Sequence, residues 1–364
     1  MKQKLLLMII TAVIITISSC EIDKSIDAKD AKLKIPDNTQ VLLQYLKSMG
    51  FKEEDIDDRG DRFVVEGDMV FKKSDYNHLQ GAKEEQAYNP NELIFNEKKQ
   101  TIRVMVHASV KAYHQEIDKA IDMWNNVNLY RLADDPIPES NIRFVKVTTG
   151  AYDLLIEGGR AGFKAGELAN SRMPVNGNPG SEISLNLNPK EFSDEMHGHQ
   201  VAIIAHELGH AIGLQHTNWR EVREVGIRDI PDTPKTERGS LMNQETGATL
   251  QGLSLTTNDR KAVRVLYPKK PYGIRWEVGL VATLKWTGPV HRVKSYTVNY
   301  TIKSGDFFLT TKKYSKEVAI TGRDGSLAIP FSCRCRSITY TAQVRINYVD
   351  GTSSEYVSSP SLTL

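Results

Sequence analysis

The sequence predicts an α+β domain, a twisted mixed sheet with an apolar helix packed on it, followed by an all-β sandwich. Three observations carry that expectation. Runs such as "TIRVMVH" (101–107) and "SEISLNL" (181–187) alternate apolar and polar residues, as half-buried strands do. Between them, Val110, Tyr113, Ile117, Ile121 and Trp124 recur at three- and four-residue spacing, which marks one face of an amphipathic helix. From residue 272 onward, short β-rich runs follow one another with turns between them.

Size and charge bound the function. A chain of 364 residues with 40% hydrophobic composition can bury cores for two or three domains. The 47 basic and 45 acidic residues are interspersed and leave a net charge of +2. No basic stripe or tail is present, so nucleic acid is excluded as the expected partner.

Residues 1–19 read as an export signal. Lys2 and Lys4 precede an apolar run at 5–17, which is short for a membrane span and right for a signal core. The run ends in Ile17-Ser18-Ser19-Cys20, which resembles the bacterial lipobox, where cleavage precedes a cysteine that becomes lipidated. Cys20 would then anchor the protein to a membrane outside the cytoplasm, in a bacterial cell envelope, at the outer membrane or cell surface. Residues 20–39 have few apolar side chains and no aromatics, and read as a flexible tether.

A small N-terminal region spans 40–100. Val41, Leu42, Tyr45 and Leu46 have helical spacing, and Gly50 supplies a stop. "RFVVEGDMVFKK" has strand character. The acidic run "EEDIDDRGD" does not match the spacing of an EF-hand loop, so a solvated turn is expected and Ca2+ is not supported.

The next domain, 101–268, adds strands at "NIRFVKVT" and "YDLLIEGG". Then come "LANSR", the Gly/Pro-rich "MPVNGNPGS" and the apolar helix "HQVAIIAHELGHAIGL". That helix carries the chemistry. His206 and His210 are four residues apart, so both imidazoles lie on one face and suit adjacent positions around a tetrahedral Zn2+. Glu207 is one step round the helix and can act as general base toward a water in an open metal position. A continuous helix would point His216 away, but Gly213 can end the helix with positive φ and turn the chain back. His107, His114, His197 and His199 stand outside this pattern and read as ordinary core or surface residues.

H-E-x-x-H-x-x-G-x-x-H is similar to the metzincin zinc-peptidase signature. Metzincins also carry a Met-turn, and "RGSLMNQ" places Met242 downstream of His216. In that clan the methionine is an apolar floor beneath the metal. "LTTNDRKAVRVLYP" resembles the clan's closing helix. Residues 168–187 look like the edge strand, loop and following strand of matrix metallopeptidases. The resemblance implies that Leu168, Ala169, Asn170, Ser171 and Arg172 form an edge strand that pairs with substrate. A closer resemblance, over about residues 60–268, is to the M57, or dual-action HEIGH, metallopeptidases, carried by "HELGHAIGLQHTNW", "IPDTP" and "SLMN". Two positions depart from the patterns. Asn218 stands where M57 implies aspartate, and Gln244 where some metzincins place a carbonyl-polarising tyrosine.

"VVEGDMVF" puts Glu66 and Asp68 around Gly67. The favoured reading is a β-turn or strand end that extends the catalytic domain. The alternative is a pro-segment whose carboxylate takes a zinc position, since no cysteine lies between Cys20 and the catalytic helix.

Residues 272–364 form the expected sandwich, with seven strands from "VATLKWTG" to "SEYVSSPSLTL". Trp286 on an early strand and the late run 340–348 resemble a fibronectin type III domain within the Ig-like class. Cys333 and Cys335 are two apart and would point to opposite faces of a strand, so they are expected to be unpaired or locally linked. Together these features imply a lipid-anchored, exported zinc endopeptidase with a protein or peptide substrate. The alternatives are a non-enzymatic surface binder with a vestigial metal site, and a zinc hydrolase of a non-peptide substrate.

Overall fold

The computed structural model describes residues 38–48, 51–76, 92–95, 101–129, 131, 135–159, 162–188, 197–217, 229–234, 237, 239–244, 254–290, 293–305, 309–319, 323–330, 337–349 and 351–364. The signal, Cys20, most of the tether, Asn218, Cys333 and Cys335 lie outside these residues.

The elements run in chain order as helix α1 (Asn38–Ser48) and strands β1 (Ile56–Asp58), β2 (Arg62–Val65), β3 (Met69–Lys72) and β4 (Ile102–Val106). Helix α2 (His114–Asn125) leads to β5 (Phe144–Val147), β6 (Leu154–Gly159), β7 (Ala169–Arg172) and β8 (Glu182–Asn186). Helices α3 (His197–Ala211) and α4 (Thr257–Leu266) complete this part. The C-terminal strands are β9 (Tyr272–Val278), β10 (Ala282–Thr287), β11 (Val293–Gly305), β12 (Leu309–Val318), β13 (Asp324–Ile329), β14 (Ser337–Tyr348), β15 (Val357–Ser358) and β16 (Leu362–Thr363).

An eight-stranded mixed sheet in the order β1-β2-β3-β7-β8-β6-β4-β5 forms the first layer. β5, β4, β6 and β8 are mutually parallel neighbours. β7 runs antiparallel to β8. Helices α2 and α3 make the second layer, because their apolar faces need cover. Ile117, Ala120, Ile121 and Trp124 of α2 are buried against Ile204, Ala205 and Leu208 of α3 in one core. The Trp124 indole N–H donates to Ala205 O at 2.8 Å, which satisfies its one polar atom in that core. His107 is an N-cap, its Nδ1 accepting from the Ser109 N–H at 3.1 Å, in line with an ordinary role.

One expectation is corrected. Ala169, Asn170, Ser171 and Arg172 do form a strand, but Leu168 precedes it, and the strand is not the sheet's edge. β3 pairs with it in parallel, Met69 opposite Ser171 and Val70 opposite Arg172. The outward donor of Ser171 is therefore already bonded, to Asp68 O at 2.7 Å. Strand–turn–strand segments bring a second edge with them, and here that edge docks on β7.

In the C-terminal part, a three-stranded sheet (β13-β10-β9) faces a five-stranded one (β12-β11-β14-β15, with β16 on β14). Inward residues of both sheets share one core around Trp286, Tyr296 and Tyr340. Two strand boundaries differ from the sequence reading. Residues 272–278 are a strand in their own right, and "DFFLTT" and "EVAITG" contribute to one long β12 rather than two strands. Long strands with charged faces lack the apolar alternation that marks a boundary, which is why β12 reads as two pieces. The two parts meet at a small apolar cluster of Ile137, Val265 and Tyr272. There Arg323 pairs with Asp232 at 2.6 Å and donates to the Tyr272 hydroxyl. Among the described residues no helix is long and apolar enough to cross a membrane.

Candidate metal centre

α3 enters the core with buried Ile203, Ile204, Ala205 and Leu208 around its polar residues, so packing holds the helix that carries them. His206 and His210 lie on one face with ring centroids 4.5 Å apart. After Ala211 the helix stops. Gly213 has φ +89°, its N–H donates to His210 O at 2.8 Å, and the Leu214 N–H reaches back to Gly209 O at 3.0 Å. This paired closure around a left-handed residue is a Schellman cap. It reverses the chain and returns His216 to the helix, with ring centroids 5.3 Å from His206 and 4.9 Å from His210.

Each imidazole is oriented through Nδ1. His206 Nδ1 donates to Leu241 O at 2.8 Å, and His210 Nδ1 to Leu214 O at 2.8 Å. His216 Nδ1 donates to the Glu66 carboxylate at 2.9 Å. Those acceptors put the proton on Nδ1 and leave Nε2 as the lone-pair side. The three Nε2 atoms face one another. His206 Nε2 and His210 Nε2 are only 2.9 Å apart. Asp68 Oδ2 joins them, 3.1 Å from His216 Nε2, 3.7 Å from His206 Nε2 and 3.9 Å from His210 Nε2. The four ligand atoms lie within 4.8 Å of one another. Lone pairs and a carboxylate oxygen converging with no proton between them repel, unless a cation sits among them. Three imidazoles and one carboxylate are the donor set of Zn2+. The residues present therefore fit a zinc ion.

The electrostatics agree. Burial pushes His210 well below its usual pKa, and its neighbour His206 pushes the same way, so it stays neutral and able to ligate. Burial disfavours the charge on Asp68, but positive charge among His216, His206 and His210, whether a proton or a bound cation, outweighs it and lowers its pKa. Glu207 is buried beside them. Burial drives its carboxyl well above the usual range, and the Asp68 charge adds to that, against the pull of His216. Its Oε2 is buried with no hydrogen-bond partner, which leaves that oxygen available to a proton or a water.

Met242 is buried against α3, only 1% exposed. A Cβ added at Gly209 would come within 2.4 Å of its Sδ, so the thioether rests directly on the helix backbone between His206 and His210. The Met242 carbonyl accepts from the Thr217 N–H at 2.8 Å, which ties this loop to the segment carrying His216. Asp259 at the start of α4 anchors the loop in turn. It accepts from Ser240 Oγ at 2.5 Å and from the Leu241 N–H at 2.9 Å, and also completes a capping box with Thr256.

The sequence pattern of the dual-action HEIGH metallopeptidases, peptidase family M57, matches residues 63–267, more than half of the chain. The chain belongs to that family. The matched span of this M57 metallopeptidase runs from β2 to the residue after α4, so it takes in Glu66 and Asp68 with the histidines. Three solved structures to which the chain is similar can be described. OgpA from Akkermansia muciniphila, in a catalytically inactive form with an O-glycopeptide substrate, is 11% identical. The alignment covers 79% of this chain and 95% of that one, with a TM-score of 0.24. Wild-type OgpA from the same organism gives 10% identity, 77% and 96% coverage, and a TM-score of 0.23. The third fibronectin III domain of the human KIAA0343 protein gives 19% identity, 25% and 76% coverage, and a TM-score of 0.18. No curated protein matches the chain.

The structure thus gathers His206, His210 and His216 around one point, with Glu207 buried beside them and Met242 packed on the helix at Gly209, and brings in Glu66 and Asp68 from the β2–β3 turn. His107 and His114 lie elsewhere, bonded to Ser109 and to the Lys111 carbonyl. Asp259 and the Leu241 carbonyl are functional parts that the sequence reading missed. The Thr256-x-x-Asp259 spacing of a capping box was the available signal for Asp259. The carbonyl of Leu241 has no sequence signal.

Proposed function

We propose that this M57 metallopeptidase is a zinc-dependent endopeptidase of the metzincin type, exported and held at a bacterial envelope membrane through lipid on Cys20. The observation that carries the peptidase reading is the convergence of three oriented Nε2 atoms beside a buried, unpartnered glutamate. A zinc ion held by His206, His210 and His216 supplies Lewis acidity and a nucleophile at neutral pH. Leu241 and Leu214 fix the orientations of His206 and His210 through Nδ1, and Glu66 that of His216 while the β2–β3 turn is in place. Glu207 takes the proton of the attacking water and passes it to the leaving amine. Met242 keeps the floor of the site apolar and dry. The envelope location rests on the lipobox resemblance at Cys20 and the tether that follows it.

The test joins metal analysis of the purified chain to digestion of casein and a peptide library, with and without a chelator. One zinc per chain and chelator-sensitive cleavage are expected. A protein that holds zinc yet cuts no peptide, either as it stands or with Asp68 replaced, would remove the endopeptidase reading. Mass spectrometry of products from non-peptide esters and amides would then identify a different hydrolase.

A further inference from the structure

We propose that the β2–β3 hairpin is a built-in stopper: Asp68 takes the fourth metal position while β3 occupies the strand edge on which an extended peptide would lie. The inference rests on the metallopeptidase reading above and adds a latent state to it.

Three independent observations converge. The first is at the metal. Asp68 Oδ2 approaches all three Nε2 atoms, and its Oδ1 is buried with no partner, so the carboxylate is committed inward. Three histidines and a carboxylate close a tetrahedral site, whereas catalytic zinc sites keep one position open. Glu207 is only 2% exposed beneath this cover. The backbone is bent to achieve it. Glu66 and Gly67 have φ of 57° and 92° in the three-residue turn between the paired Val65 and Met69. That is natural for glycine but costs about 1 kcal/mol or more for glutamate, a strain that clusters at functional sites.

The second observation is at the sheet. β3 pairs with β7, and Asp68 O accepts the Ser171 N–H while Val70 O accepts the Met173 N–H. With β1, β2 and β3 lifted away, β7 becomes the free edge of the sheet beside the three histidines. A free edge binds extended peptide through its backbone groups. The hairpin and a peptide thus compete for the same donors as well as for the same metal position.

The third is separability. α1, β2 and β3 bury Leu42, Leu46, Phe51, Phe63, Val65 and Phe71 in a core of their own. From beyond the hairpin, only Met173 is buried in that cluster among the described residues, with Val175 packed against it. Ion pairs cross the seam beside the β3–β7 backbone bonds. Arg59 pairs with Glu167 at 2.5 Å, Asp57 with Lys164 at 2.9 Å, and Asp75 with Arg172. In that cluster Met173 and Val175 are the apolar side chains that cross the seam among the described residues, so it joins the two parts by less apolar burial than holds the hairpin's own core together.

The test compares the full-length chain with its Asp68→Ala and Asp68→Asn variants, each loaded with Co2+. Asp68→Asn keeps the shape and removes the charge, and serves where Asp68→Ala does not fold. Co2+ absorption, acetohydroxamate titration and cleavage of a quenched peptide library are measured on all three. If the open form is at most about one molecule in ten, removing Asp68 tightens hydroxamate binding about tenfold or more. The Co2+ spectrum should change and cleavage should rise with it. Equal hydroxamate affinity and an identical spectrum in all three would overturn the inference. So would weaker Co2+ binding without any gain for hydroxamate, which would make Asp68 a permanent ligand. Tighter hydroxamate binding with no cleavage would uphold the stopper and overturn the peptidase reading. Failure of all three proteins to bind Co2+ would overturn both.

Discussion

Asp259 accepts the backbone N–H of Leu241 at 2.9 Å, and the carbonyl of the same Leu241 accepts from His206 Nδ1 at 2.8 Å. One buried carboxylate at the start of α4 thereby sets the orientation of a metal ligand on α3. Asp259→Asn is expected to weaken metal binding by about 10- to 100-fold, as loss of outer partners of a ligand does. Stability should fall as well, by roughly 1–3 kcal/mol for each donor left unmet. Chelator competition and urea melts measure the two effects. Metal affinity equal to the parent's would show that the loop holds its place without Asp259.

His210 has no substitute in the site. It is fully buried, and its Nε2 stands 2.9 Å from that of His206. His210→Ala should abolish stoichiometric zinc, read by metal analysis after dialysis. Retention of one zinc per chain at unchanged affinity would refute the ligand assignment.

Glu207 and glutamine have the same shape but differ in proton affinity. In whichever form of the chain turns over peptide, Glu207→Gln should keep the zinc and the fold. Its turnover should drop by about 10²- to 10⁴-fold, the usual contribution of a positioned general base. A zinc-loaded variant within a few-fold of its parent would take Glu207 out of that role.

Gly213 occupies a position open only to glycine. Its φ is +89°, and a Cβ there would lie 2.5 Å from Glu92 O. Gly213→Ala should destabilise the domain by about 1–3 kcal/mol from backbone strain alone, with further loss from the clash. Because the turn aims His216, metal affinity should fall in step. A melting temperature and zinc affinity that both match the parent would show that the cap is not what returns His216.

What is legible in the sequence follows the range of each interaction. His206, Glu207 and His210 lie within five consecutive helix positions, and Gly213 and His216 complete the motif locally, so spacing alone suffices to read them. The alternation of β4 and β8 and the apolar face of α2 are equally local. Glu66 and Asp68 are visible as two acids about a glycine, but nothing nearby shows that they meet a histidine some 150 positions away. That meeting depends on β3 docking against β7, a parallel pairing with no turn to announce it. The same pairing hides the true environment of Ser171 and Arg172, which read locally as a free edge. β9 escapes notice because its Arg275 and Glu277 face solvent while Trp276 is only half-buried.

The turn at residues 66–68 meets His216 at both ring nitrogens: Glu66 accepts from Nδ1, and Asp68 stands 3.1 Å from Nε2 across the metal position. Lifting the hairpin takes away a brace together with a stopper. An uncovered molecule has a vacant metal position and a looser third ligand, so it sheds its ion faster than a covered one. Opening would therefore couple exposure of the site to a weaker hold on the ion it exposes.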